Sequence, residues 1–436
     1  MDTSESGTQS GIQPPEDTTA SPPPPRQGWR RWAMDTRPLA VPAYRRLWTS
    51  TIVTSVGSQL TAVAVPKQIY DITGSSAWVG AASLAGLLPL IVFALWGGAV
   101  ADAMDRRKLL LVTNCGIAVT SLLFWLQAVT GMESVAALMV LLAVQQAFWG
   151  LNAPARTASI ARLVPEGQLP AANALGSTVM QTGQVIGPLL AGALIPVIGL
   201  PELYLIDALA LCVTVWAVYR LPALPPLARA AARRAGVREV VAGFRYISMH
   251  KVLLLSFVAD IIAMVFGMPR ALFPQLAAET FGSWGEGLAL GLLFAAIPVG
   301  AVLGGLFSGT FSRARRHGWM VIGAVVGWGA AVAGFGLSRN LWVAVAFLAA
   351  AGVADMVSMV FRGAILLSAA TDEMRGRMQG VFTVVVAGGP RLADVLHGTM
   401  GSAFGPRAAV AGGGLLVVAV MLVLAAVAPA LRRYRV

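Results

Sequence analysis

Charge is scarce in this sequence. Only 12% of its 436 residues are Asp, Glu, Lys or Arg, about half the share of a soluble globular chain. Acids are the scarcer sign, 20 against 32 basic residues. There are two cysteines, too few for a disulfide framework. Cys115 and Cys212 both fall in long apolar runs and read as small packing residues. The three histidines, His250, His317 and His397, are far from those cysteines in sequence. A metal site or a Ser-His-Asp triad has almost nothing to be built from, so no metal, no cofactor and no enzyme chemistry are expected. No GxxxxGK[ST] loop occurs, which excludes an ATP-hydrolysing part within the chain. No charged stretch followed by a short apolar one opens the sequence, so the first apolar run is expected to act as the insertion signal.

What the chain has in quantity is hydrocarbon. It is 57% hydrophobic, with a mean hydropathy of +0.72. Twelve runs are long enough to cross a bilayer: 47–70, 78–101, 109–130, 134–154, 173–198, 203–221, 252–276, 287–311, 319–337, 341–365, 377–400 and 409–430. They define an all-α membrane protein with twelve transmembrane helices. The net charge of +12 would fit nucleic acid, but its distribution argues against that. Arg and Lys cluster in every second loop, as in Arg106-Arg107-Lys108, the Arg-rich stretch 229–251, and Arg432-Arg433. The intervening loops hold only Arg339 and Arg407. The positive-inside rule then places both termini in the cytoplasm.

Residues 1–40, rich in Pro, Ser and Thr, are expected to be a disordered cytoplasmic tail. The polar break at 222–250 reads as a cytoplasmic central loop between two six-helix halves, 41–221 and 251–436. The halves echo each other: GAVADAMDRRK follows span 2 and GLFSGTFSRARR follows span 8. Gly187-Pro188 sits mid-helix in span 5, and Gly389-Pro390 does in span 11. Duplicated halves with paired broken helices are the mark of a secondary transporter.

In GAVADAMDRRK, Gly98 and Asp102 share a helix face. Gly98 leaves room for a neighbouring helix, and Asp102 is placed to pair with Arg106 or Arg107 as a conformational latch. The motif resembles the loop 2–3 signature of the major facilitator superfamily, although Asp105 stands where that family often has Gly. The stretch GSTVMQTGQVIGPLLAG, with Gly176, Gly183, Gly187, Pro188 and Gly192, resembles the span 5 motif of the superfamily's antiporters. In that fold, span 5 lies against span 8, here marked by Gly287, Gly291, Gly300, Gly304, Gly305 and Gly309. The small residues predict two smooth faces meeting where the halves rock.

Several stretches are similar to one branch of the superfamily, the siderophore exporters of the enterobactin type. They are AVAVPKQIYDITGSSAWVG, LPALPP, VVAGFRYI, MPRALFPQLA, LLFAAIPVGAVLGGLFSG and PALRRYRV. Together they span nearly all of 40–436. The resemblance implies a monomeric multi-pass exporter in a bacterial cytoplasmic membrane. It would move a catecholate siderophore outward by alternating access, in antiport with protons. A multidrug or antibiotic exporter of the same superfamily is the alternative. A non-transporting receptor or scaffold is a third reading, which the paired broken helices oppose.

Ionisable groups inside spans are functional candidates. Arg270 follows Gly267-Met268-Pro269, where a bend would aim it inward. Lys67 lies near the end of span 1, four residues before Asp71. These two cations, with Gln145, Trp149 and Phe266, are the candidate substrate contacts; Gln146, Phe148, Met264 and Phe294 extend the same expected lining. Asp260, Asp355 and Asp394 are the candidate proton carriers. The simplest expectation for Asp394 is an ion pair with Arg391, and for Asp207 a structural cap.

Overall fold

Inside a membrane, each crossing must satisfy its own backbone N–H and C=O groups, which for a chain without strand-like alternation leaves helices. The computed structural model describes residues 34–225, 237–311, 314–369 and 372–434. The expected tail lies outside the described residues up to residue 33, and Arg37–Ala40 is a short 3-10 helix, so the end of that tail is structured. Among the described residues there is no strand.

The first half is built from α1 (Pro42–Thr73), α2 (Ser76–Ala103), α3 (Arg106–Val129), α4 (Val135–Leu163), α5 (Leu169–Ile198) and α6 (Leu200–Tyr219). The second is built from α8 (Lys251–Gly267) with α9 (Phe273–Glu279), α10 (Glu286–Leu306), α11 (His317–Leu337), α12 (Leu341–Ala369), α13 (Asp372–Phe404) and α14 (Pro406–Val427). A short α15 (Pro429–Arg432) follows. The break at 222–250 is not all loop, because α7 occupies Val237–Met249.

Ten segments of the described residues are long and apolar enough to cross a membrane. The other two crossings, α1 and α13, are the longest helices at 32 and 33 residues. They are less apolar because they carry the polar side chains of the interior. α1 packs on α5 and α6, and α13 on α2, α8 and α14.

Within the halves, α2 packs on α4 and α3 on α6; α10 packs on α12 and α11 on α14. Two seams join the halves, α2 with α13 and α5 with α10. Both are backbone on backbone. A Cβ on Gly80 would strike the Asp394 carbonyl, and one on Gly398 the Ser76 carbonyl. A Cβ on Gly192 would strike the Gly287 carbonyl, and one on Gly291 would stand 2.7 Å from the Pro188 carbonyl.

This corrects the span 5 expectation in detail. Gly183 and Gly187 face Ser55 and Gln59 of α1, not α10. Gly176 and Gly309 have nothing within 4 Å, and Gly300 and Gly304 face α12. The reason is helical geometry: Gly192 is five residues beyond Gly187, roughly 140° further round the helix. Cys115 and Cys212 are exposed on outer helix faces rather than packed inside.

Candidate functional site

Between the halves lies a cavity of about 600 Å³. Every described hydrogen bond or ion pair that crosses between the halves lies at its middle or towards the end that holds Thr73, Ile198 and Phe404. These are Tyr70 to Glu279 at 2.8 Å, Ser76 to Gln275 at 2.8 Å, Ser83 to Asp394 at 2.7 Å, Arg391 to Gln146 at 2.8 Å, Ser402 with Ser75 and the Ala77 N–H, and Lys67 with Glu286 at 2.9 Å. That end is closed.

The break that ends α8 places a cation in the cavity. α8 stops at Gly267, and a 3-10 turn, Arg270–Leu272, precedes α9. Arg270 thereby enters the wall, and its charge interacts with those of Asp394 and Asp355. No described residue accepts a hydrogen bond from its guanidinium, so its donors face the cavity. Arg391 is a second guanidinium in the wall, fixed by Gln146. Gln145, Trp149 and Phe294 also line the cavity. The site thus offers two cations beside the acids Asp207 and Asp394, with amide groups and aromatic faces; the guanidiniums and rings suit acidic, ring-bearing ligands.

The other candidates lie elsewhere. Lys67 is buried and held by Asp71 on its own helix and Glu286 on α10, so it is a contact between the halves and not part of the wall. Phe266 packs against the core, Met264 lies against Gly389, and Phe148 lies against Gly116. Asp394 makes no ion pair with Arg391; it accepts from Ser83, across the α2–α13 seam. Asp260 is paired with Arg362, whose guanidinium also lies 4.0 Å from Asp355. Arg362 is missed by the sequence reading, although a base inside 341–365 was signal enough. Asp207 is no cap. It is buried in the cavity wall, accepting from Thr61 at 2.7 Å and Ser121 at 2.9 Å.

At the α2–α3 turn the side chain of Asp102 lies outside the described residues. Gly98 has open space beside it; the close approach to α4 is made by Gly97, against Pro154 and the Gly150 carbonyl. Asp105 takes the N-cap of α3, accepting from the Arg107 N–H at 2.8 Å and the Leu224 N–H at 3.3 Å. Arg106 is buried and donates to the Ala101 and Ala158 carbonyls; Arg107 donates to the Tyr219 carbonyl. These bonds bind α2, α3, α4 and α6 into one body.

Twelve crossings in two halves around a central cavity define a major facilitator. The model of the transmembrane secretion effector family matches residues 33–433, and the chain belongs to that family. It is 31% identical over 404 residues to an enterobactin exporter, EntS, of Shigella boydii serotype 18, covering 90% of this chain and 94% of that one. The identity to EntS of Escherichia coli O139:H28 is likewise 31%, over 405 residues, with the same coverage of 90% and 94%. Among solved structures, the nucleoside transporter NupG has the same fold, with a TM-score of 0.71 at 14% identity over 90% of this chain and 100% of that one. So does a D-xylose-proton symporter, with a TM-score of 0.69 at 12% identity over 91% and 100%. The protein is a multi-pass membrane transporter and not an enzyme.

Proposed function

We propose that the protein exports a siderophore of catecholate type, enterobactin or a near relative, across a bacterial cytoplasmic membrane. Export is an alternating-access cycle in antiport with protons. Both termini are cytoplasmic, the closed end faces outward, and the structure is the state open to the cytoplasm. The observation that carries this reading is the pair of guanidiniums, Arg270 and Arg391, in a cavity wall that also holds the acids Asp207 and Asp394. Enterobactin exporters as relatives supply the cargo class. Catecholates present phenolate oxygens that a guanidinium fork binds well, and Trp149 and Phe294 suit their rings. A lipophilic cation would meet repulsion at these two guanidiniums.

The test uses purified protein in vesicles under an imposed pH gradient, with enterobactin and the cationic dye ethidium as cargoes. Wild type is expected to move enterobactin and to move ethidium poorly. Arg270→Ala is expected to weaken enterobactin affinity about ten- to a hundredfold, the loss of one charge-assisted contact, and to spare the dye. Efficient pumping of ethidium with no movement of enterobactin would replace the siderophore reading by the multidrug one.

A further inference from the structure

Among the described residues, one buried acid has no cation beside it. Asp207 is 2% exposed and sits in the cavity wall on α6. Its Oδ2 accepts from Thr61 of α1 at 2.7 Å and from Ser121 of α3 at 2.9 Å. The Ser121 oxygen in turn accepts from the Gln145 amide of α4 at 3.1 Å, and Gln145 also lines the cavity. Its Oδ1 is buried with no partner at all. That atom lies in the gap left by Gly57, where a Cβ would stand 2.9 Å away.

Apart from the exposed Arg45 and Lys108, the charged groups on the surrounding helices are committed elsewhere. On α1, Lys67 is held by Asp71 and Glu286. After Lys108, α3 carries no charge, and α5 carries none along its length. On α4, Arg156 is bonded to Thr51 and Arg162 to the Pro225 carbonyl. The other acid of α6, Glu202, accepts from Trp125. Across the cavity, Arg391 is held by Gln146, and the charge of Arg270 acts on Asp394 and Asp355. Asp260 has its own arginine, Arg362.

We propose that Asp207 binds the coupling proton on Oδ1, with Gln145 and Ser121 linking it to the cavity. This rests on the proton-coupled export proposed above. An acid already matched by an arginine needs no proton to be tolerated in the bilayer interior. A lone carboxylate does, because an unpaired charge there is expensive. The proton adds to Oδ1 from cavity water when the cavity opens outward, and leaves the same atom when it opens inward. Only one O–H bond forms and breaks. The two hydroxyl donors on Oδ2 hold the carboxyl in place through both states, and the gap at Gly57 gives the new O–H room.

Two measurements test this. Infrared difference spectra of the purified protein in liposomes, taken between low and high pH, report protonated carboxyl groups without any cargo. A band is expected in wild type, absent in Asp207→Asn and retained in Asp260→Asn and Asp394→Asn. Ser121→Ala keeps the acid but removes a donor, so it should shift the band's frequency. That arm stands should Asp207→Asn fail to reach the membrane. In vesicles with enterobactin, one pH unit drives about tenfold accumulation at one proton per cargo. In Asp207→Asn the ratio falls to about one, while exchange of labelled for unlabelled enterobactin at equal pH continues. An unaltered band, or undiminished accumulation in Asp207→Asn, overturns the proposal. Loss of exchange together with accumulation, with no change in the band, assigns Asp207 a structural role and also overturns it. Wild type that accumulates nothing overturns the coupled-export reading instead, and the infrared arm still decides Asp207.

Discussion

Gly192→Leu is expected to abolish transport while leaving the protein inserted in the membrane. A Cβ at this position would meet the Gly287 carbonyl and would stand 2.8 Å from Gly291 Cα and 3.0 Å from its nitrogen. All three are backbone atoms, so no side chain can turn aside to make room. The α5 and α10 helices must separate, and the outer end then cannot close. Overpacking at such a contact is not relieved by a rotamer change. Gly323→Leu is the control: Gly323 has nothing within 4 Å. In vesicles, transport by Gly192→Leu should fall to background, and cross-linking between cysteines at the outer ends of α5 and α10 should drop. Near-normal transport by Gly192→Leu would show that the seam does not need close backbone contact.

Arg362→Met is expected to cost about 3–5 kcal/mol of stability, the typical cost of stranding one member of a buried ion pair. Arg362 and Asp260 are 7% and 3% exposed, and their pair ties α12 to α8. With the arginine gone, Asp260 is an uncompensated charge in the interior. Replacing both partners at once, as Arg362→Met with Asp260→Leu, should recover most of the loss, because matched apolar side chains avoid desolvation altogether. Thermal unfolding in detergent reads both. A single variant as stable as wild type would mean that the pair contributes nothing to holding the second half together.

Much of the architecture was legible because bilayer thickness imposes a length and an apolarity that few other structures share. The twelve runs could be read, and so could the two halves joined through α5 and α10. What the sequence concealed was rotation. Gly183 and Gly187 look equivalent to Gly192 in a motif, yet they face a different neighbour. Gly98 fits the motif, yet Gly97 meets α4. Which face of a helix turns inward depends on partners that are distant in sequence. Depth was hidden in the same way. Asp207 looked like a cap because it lies near the outer end of its apolar run, but α6 begins at Leu200, which puts the acid about two turns inside. Arg270 could be anticipated, since Gly267-Met268-Pro269 cannot continue a helix and the side chain after the break had to turn somewhere. Arg391 in the cavity wall could not, since its neighbour Asp394 offered a simpler partner than Gln146 on another helix.

Lys67 shows what the outer closure costs to undo. Its ammonium is shared between Asp71, one turn along the same helix, and Glu286 on the opposite half. When the halves part, the lysine keeps its counter-ion on α1 and gives up only the second. Glu286, already 39% exposed, passes to water. Separation therefore exchanges partners without leaving a bare ammonium behind, so the electrostatic barrier to opening stays low. Both carboxylates touch solvent, and dissolved salt screens this clasp far more than it screens the deep pair at Arg362. The opening step should accordingly quicken with ionic strength, which the lifetime of the closed state in single-molecule fluorescence would show, while the fold's resistance to heat stays nearly constant.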